Sequence, residues 1–335
     1  MHTRLGPLAT LAASALLLAG CSTGGDSTTS TPTDSAAGTP TSAMTAQVCL
    51  PVPGDTIVVL TDDKNVQNSD NVIPAVNAET AKDTAVIAAL DAVSAVLDTS
   101  TLIALNKAVD IDRQTSSEVA AQFVSDQGLA APEQGSGSLT VGAANFSENI
   151  TVAEIYGAVL RDAGYDVTVR PIGNRETYMP ALESGEVDVV PEYAATAAEF
   201  LNLKVNGDGA PTVASGDIVA TSAALADLGT QVGLVFATAS AAQDQNAFAV
   251  TTAFSEKYGV TSLTELAENC TGIALGGPPE CPERTFCQVA LEDVYGIDIT
   301  DFSALDAGGP LTKTALRQGA IAVGLVFSSD GELAS

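Results

Sequence analysis

The sequence predicts an α/β protein with largely parallel sheets. Two observations predict it. Short apolar runs that read as strands alternate with segments of helical period along nearly the whole chain. About 290 residues beyond the N-terminal region are enough for one or two domains with a sizeable core. No internal repeat interrupts the alternation.

The elements follow in order. Thr56–Leu60 (TIVVL) reads as a buried strand, and Asp62-Asp63-Lys64 as the polar turn after it. Residues 78–97 are rich in Ala and Leu and predict a helix, followed by a second over 101–109. A third begins at Thr115, where Glu118 stands three residues on to complete a capping box, and ends at Gly128. The breaker-rich loop AAPEQGSG spans 130–137. A strand over 138–143 then leads to a helix whose Val152, Ile155, Tyr156, Val159 and Leu160 fall on one face. A strand over 165–172, a helix over 178–184, a strand over 187–190 and a helix from Ala194 continue the pattern. Further elements are expected at 232–236, 247–251, 262–267, 272–275, 286–295, 312–318 and 321–327, with Ser262 and Glu265 forming a second capping box.

The N-terminus reads as a targeting segment. Arg4 precedes a short apolar run, too short to span a bilayer, and Leu18-Ala19-Gly20-Cys21 has the pattern of a lipoprotein cleavage site with Cys21 as the lipidated residue. Residues 1–20 are thus expected to be a signal peptide. Residues 21–46, rich in Ser, Thr and Pro, bury too little surface to fold and are expected to act as a tether. About 25 such residues reach roughly 28 Å. The expected location is the outer face of a bacterial plasma membrane, held by the lipid alone.

Composition removes several function classes. The net charge is −28, and no basic patch exists to neutralise phosphates, so nucleic acid is not an expected partner. The one histidine is His2, inside the signal segment, and there is no tryptophan. Ser-His, Cys-His and His-metal chemistry are therefore excluded, and no phosphate loop or GxGxxG motif invites a cofactor. Neither a cofactor nor a metal is expected. Four cysteines follow Cys21, and in an exported chain an even count points to disulfides with three connectivities open. Cys281 and Cys287 are close in sequence and are expected to pair, which leaves Cys49 for Cys270.

Several blocks carry a family likeness. VGAANFSENITVAEIYGAVLRDAGYDV and ALESGEVDVVPEYAAT resemble the opening of the solute-binding proteins of osmoprotectant ABC transporters, which bind glycine betaine, choline and carnitine. AQDQNAFAVT, GGPPECPERTF and AVGLVFSSDGEL resemble the middle of that family, while TIVVLTDDKNVQNSDNVIPAVN and LIALNKAVDID resemble its C-terminal part. Family-terminal blocks come first here, so the resemblance implies a circularly permuted chain. It implies the periplasmic-binding-protein type II fold, two α/β lobes with a ligand cleft at the hinge. Lobe 1 is expected over 47–245 (47–129 as the family C-terminal part, 130–138 as the permutation linker, 139–245 as the family N-terminal part) and lobe 2 over 246–335. One interlobe crossing would stay covalent near Asn246, and Cys49–Cys270 would tie together the crossing opened by the permutation.

The resemblance also implies site residues. The family holds a quaternary ammonium in a box of aromatic rings by cation–π attraction. Tyr193 aligns with one ring of that box and Phe327 with another; Thr196 aligns with a polar ligand contact and Arg284 with an arginine that forks onto a carboxylate. Asn246 and Lys313 stand where further rings are expected, and Ala144, next to Asn145, replaces a residue that helps hold the ligand tail. Lys313 either points outward as an exposed helical residue or faces the cleft. In the second case it repels betaine and favours a ligand with an acidic group, and Asp244 and Asn246 then supply hydrogen bonds to a more polar solute. The implied function is non-enzymatic capture of a small zwitterionic or quaternary-ammonium solute by a monomer, for delivery to an ABC permease with its ATPase. A surface sensor of the same fold without a transporter is the alternative.

Overall fold

The computed structural model describes residues 46–332, which leaves the signal segment, Cys21 and most of the tether outside the described residues. In chain order the strands are β1 (Gln47–Val48), β2 (Ile57–Leu60), β3 (Val72–Asn77), β4 (Gly137–Ala144), β5 (Tyr165–Gly173), β6 (Val189–Tyr193), β7 (Leu234–Phe236), β8 (Asn246–Thr251), β9 (Cys270–Thr271), β10 (Ile273–Gly277), β11 (Ile299–Ala304) and β12 (Val323–Phe327). The helices are α1 (Thr84–Ser94), α2 (Thr99–Asp110), α3 (Ser116–Asp126), α4 (Ser147–Asp162), α5 (Arg175–Ser184), α6 (Ala194–Asn206), α7 (Ile218–Val232), α8 (Thr252–Tyr258), α9 (Leu263–Asn269), α10 (Gln288–Ala290, continued as a π-helical turn to Tyr295) and α11 (Pro310–Gln318). Among the described residues no single helix is long and apolar enough to cross a membrane.

Two five-stranded sheets organise these elements, in the orders β5-β4-β6-β3-β7 and β11-β10-β12-β8-β2. Each is half parallel and half antiparallel. In the first, β4 pairs in parallel with β5 and β6, while β3 runs antiparallel to β6 and β7. In the second, β10 pairs in parallel with β11 and β12, while β8 runs antiparallel to β12 and β2. The sheets are thus less parallel than the sequence predicts, because each receives one strand that enters from the opposite lobe.

Each sheet has its own apolar packing. Val152, Ile155, Tyr156, Val159 and Leu160 of α4 are all buried against the first sheet, as their spacing predicts. The second sheet packs Phe248, Phe254, Leu275, Leu291 and Leu325. Of the two predicted capping boxes, Thr115 and Glu118 form theirs reciprocally at α3, while at α9 Ser262 accepts from the Glu265 amide but the Glu265 carboxylate takes the Thr261 amide instead of that of Ser262, so the second box is only half formed.

Three elements lack a clear signal in the sequence. β3 is buried throughout and central, yet contains Pro74. β7 pairs with β3 only from Ala75 onward, so the missing N–H falls just past the end of that ladder. β11 has no fully buried residue and carries Asp301 in an edge strand, which hides its strand pattern. α7, rich in Ala and small residues, carries only a weak apolar face.

The lobe boundary also differs from the expectation. Residues 47–60 belong with the second sheet, through β1 beside β9 and β2 beside β8, not with lobe 1. The continuous apolar run of β2 fits either sheet, and sequence alone does not choose between them; the strand lies at an edge, with Val59 exposed and not buried as expected. The chain therefore crosses between lobes twice, at 61–71 and again at 237–245. The two crossings lie side by side: Asn71 bridges Gln243, and the Asp244 amide donates to the Asp70 carbonyl at 3.0 Å. Cys49 pairs with Cys270, and Cys281 with Cys287. Both halves of the Cys49–Cys270 bond lie within the core of the second lobe, so the bond fastens the incoming chain to that lobe and does not tie a crossing together.

Candidate functional site

The C-terminal ends of β4 and β6 point toward the crossings, the place where open α/β sheets gather ligands. A cavity of about 870 Å³ lies there, walled by the first sheet on one side and by the loop after β10 and the end of β12 on the other. It is large enough for a small organic solute. Ala144, Asn145, Tyr193, Thr196, Asp244 and Asn246 line it, as do Arg284 and Phe327. These are eight of the nine residues the sequence points to.

Lys313 is the ninth, and it lies elsewhere. It is buried on α11 and forms ion pairs with Asp330 and Glu332. It borders a second cavity of about 550 Å³, separated from the first by Phe146 and Phe327, which line both. It is neither an exposed helical residue nor a wall of the larger cavity, because the acidic segment after β12 folds back onto it.

Three aromatic rings stand in a row. Phe146, the residue that precedes α4, stacks on Tyr193 with centroids 6.1 Å apart and on Phe327 with centroids 5.5 Å apart. Phe146 is not among the nine. Its one sequence signal is its place immediately after a strand and before a helix, where side chains face the cleft. Gly308 lies against this row: a Cβ there would approach the Phe327 ring to 3.0 Å, and its φ of +67° suits glycine.

Below the rings lies a buried carboxyl network. The Tyr193 hydroxyl donates to Glu148 Oε1 at 2.8 Å, and Asn106 Nδ2 donates to Glu148 Oε2 at 2.5 Å. Ser329 Oγ stands between Glu148 Oε2 at 2.5 Å and Asp244 Oδ1 at 2.7 Å. A hydroxyl carries one proton, so it donates to one carboxyl and accepts from the other, which must itself be protonated. Burial pushes both carboxyls up, Asp244 well above its ordinary value with the Glu148 charge adding to the effect. The network joins α2, α4, a crossing and the segment after β12.

A second network holds the floor. Arg175, at the start of α5, forks onto Glu192 through Nε at 2.9 Å and Nη2 at 2.8 Å, and also donates to Thr196 Oγ1 at 2.8 Å. Tyr178 adds its hydroxyl to Glu192 at 2.8 Å. The pair is almost fully buried, so loss of either partner would leave an uncompensated charge. Asp70, on the first crossing, accepts from the Thr196 amide at 3.0 Å and lines the cavity. Burial is the main cause that pushes its carboxyl up to about 7. Asp70 and Arg175 carry no sequence signal of their own: one sits in a polar run and the other lies just before the helix the sequence predicts.

Arg284 leaves its lobe to meet the other. Its guanidinium contacts Glu176 of α5 at 2.9 Å and Glu280 of its own loop at 3.2 Å. Burial works to raise the Glu176 carboxyl, but the Arg284 charge overrides it and leaves the group below its ordinary value. Asn246 Nδ2 donates to the Phe286 carbonyl at 2.8 Å, which sets the loop between Cys281 and Cys287 against β8.

The family model for the substrate binding domain of ABC-type glycine betaine transport systems matches residues 36–126 and 137–335. The chain belongs to this family. It is a substrate-binding protein of the ABC-transporter type and not an enzyme. Among solved structures, apo YehZ from Escherichia coli is 24% identical, over 59% of this chain and 72% of that one, with a TM-score of 0.38. A glycine betaine/carnitine/choline ABC transporter structure is 18% identical, over 59% of this chain and 70% of that one, with a TM-score of 0.37. No curated protein matches. Within this family of solute binders, the cavity between the two sheets is the candidate binding site.

Proposed function

We propose that the protein is an extracytoplasmic lipoprotein, anchored through Cys21, that captures a small cationic or zwitterionic nitrogen compound, quaternary ammonium ions among them, in this cavity and delivers it to an ABC permease. The observation that carries the reading is the row Tyr193–Phe146–Phe327, to which both lobes contribute within a solute-binding family. A ligand that touches both lobes favours the closed arrangement, which is the differential contact that closure requires. Thr196, Asp244 and Asn246 supply polar contacts around the rings.

The chain order is read as a circular permutation with its linker at 130–138. The family match breaks at 127–136, between the end of α3 and the start of β4, which supports this reading. A gene rearranged to begin at residue 137 and end at 129 should then yield a folded binder.

The binding reading is tested by a thermal-shift screen of betaines, choline, carnitine, amino acids and simple amines against the purified protein. Stabilisation grows as RT ln(1 + [L]/Kd), so even about millimolar binders register at high concentration. A screen with no stabilising compound overturns the reading. Anchorage is tested separately: Cys21→Ala should abolish incorporation of labelled fatty acid.

A further inference from the structure

The charged groups of the cavity are unequally free. Among the described residues, eight acidic and three basic side chains line it. The three basic ones are occupied: Arg175 by Glu192, Arg284 by Glu176 and Glu280, and Lys204 by Glu183 at 2.5 Å. A ligand carboxylate would therefore find no uncommitted cation and would meet an acidic wall.

Asp70 is in the opposite condition. It is 5% exposed, lines the cavity, and its Oδ1 takes both contacts from Thr196. Among the described residues no donor reaches Oδ2. Oδ2 is open to the cavity and not sealed in the protein, so an N–H of a bound cation can satisfy both its charge and its hydrogen bond. Asp244 lies beside it on the second crossing, so two carboxyls face the same end of the cavity.

The rings argue in the same direction. Phe146 stacks on Tyr193 and on Phe327 with centroids 6.1 and 5.5 Å apart, which covers part of each face and leaves no room for a ligand between neighbouring rings. Methyl groups of a quaternary ammonium would gain little there and could not donate to Asp70 Oδ2.

We infer that this cavity selects a protonated amine that carries N–H donors and no carboxylate, seated on Asp70 with its carbon body against the ring row. The inference rests on the solute-binding reading above and narrows its ligand class. The carboxyl of Asp70, raised by burial while the cavity holds no cation, falls when a cation binds, so binding releases a proton near neutral pH.

Four probes decide it: ethanolamine, putrescine, choline and glycine betaine, each at about 10 mM in thermal shift and then in calorimetry at about pH 8. Ethanolamine or putrescine should bind at least about tenfold more tightly than choline and glycine betaine. Asp70→Asn keeps the shape and the Thr196 contact, and should weaken the amine by at least about tenfold. Choline or glycine betaine binding best would overturn the inference and leave solute binding standing. No response to any of the four, when other compounds do stabilise the protein, would overturn it as well; no response to any compound would sink the solute-binding reading with it. Should Asp70→Asn fail to fold, the wild-type ranking of the four probes still separates these outcomes.

Discussion

Phe146 of the first lobe stacks on Phe327 of the second, with ring centroids 5.5 Å apart and planes inclined by 30°. The contact spans the cleft, so it exists only when the lobes are together. Phe327→Ala should therefore weaken the best-bound solute by about tenfold while lowering unfolding stability by less than a core truncation, because Phe327 is only partly buried. Calorimetry beside urea unfolding separates the two effects. Unchanged affinity would mean that the rings are not part of the binding site.

Arg284 and Glu176 make a second contact across the cleft. Both side chains are partly exposed, so Arg284→Ala should change stability by no more than about 1 kcal/mol. Its effect should appear in shape: the ligand-free variant should have a larger radius of gyration by small-angle scattering. An unchanged profile would show that other contacts hold the lobes.

Asp70 makes stability depend on pH. Its native carboxyl lies near 7, raised first by burial and further by Glu192, while Thr196 and Arg175 act against the shift; Asp244 stands beside it. In the unfolded chain it titrates as an ordinary carboxyl. The folded form therefore holds a proton that the unfolded form has lost at intermediate pH. Its favourable contribution is complete below about pH 4 and disappears as pH rises through about 7. Asp70→Asn should be more stable than the wild type at about pH 8, by roughly 2–4 kcal/mol, with the difference shrinking toward about pH 5. Urea unfolding at the two pH values measures it; a difference independent of pH would place the Asp70 carboxyl in the ordinary range.

Affinity for an amine should move the other way. The carboxylate form is the one that accepts a cation, so binding should strengthen as pH rises from about 6 to 8. Calorimetry in two buffers of different ionisation enthalpy should detect the released proton. A flat profile would mean that Asp70 does not contact the ligand.

The Cys49–Cys270 bond closes a separation of 221 residues. Replacing both cysteines with serine should cost about 2–5 kcal/mol. Hydrogen exchange should rise first in β1 and β9, where the incoming chain is paired. Equal exchange in both lobes would show that the bond acts on the whole molecule.

Much of this architecture is legible in the sequence because periodicity and capping are local. The α4 face and the Thr115 box depend only on neighbours in the chain. The assignment of β2 to the second sheet and the burial of β3 around Pro74 depend on partners far away, and no local pattern encodes them. The site divides in the same way. Tyr193 and Phe327 are visible through family likeness, whereas Asp70 and Phe146 acquire their roles only when the crossings and lobes meet. Lys313 departs from its expected place because the residues that neutralise it, Asp330 and Glu332, lie in a segment with no regular structure.

The anchoring of β1 and Cys49 on the second lobe has a mechanical consequence. A pull on the N-terminal end is borne by that lobe through a covalent bond and a strand pairing, and it passes around the hinge. The first lobe hangs from the rest by its two crossings and by the chain end beyond β12. With the N-terminal anchor proposed above, the protein would stay moored on the second lobe while the first lobe opens and shuts the cleft.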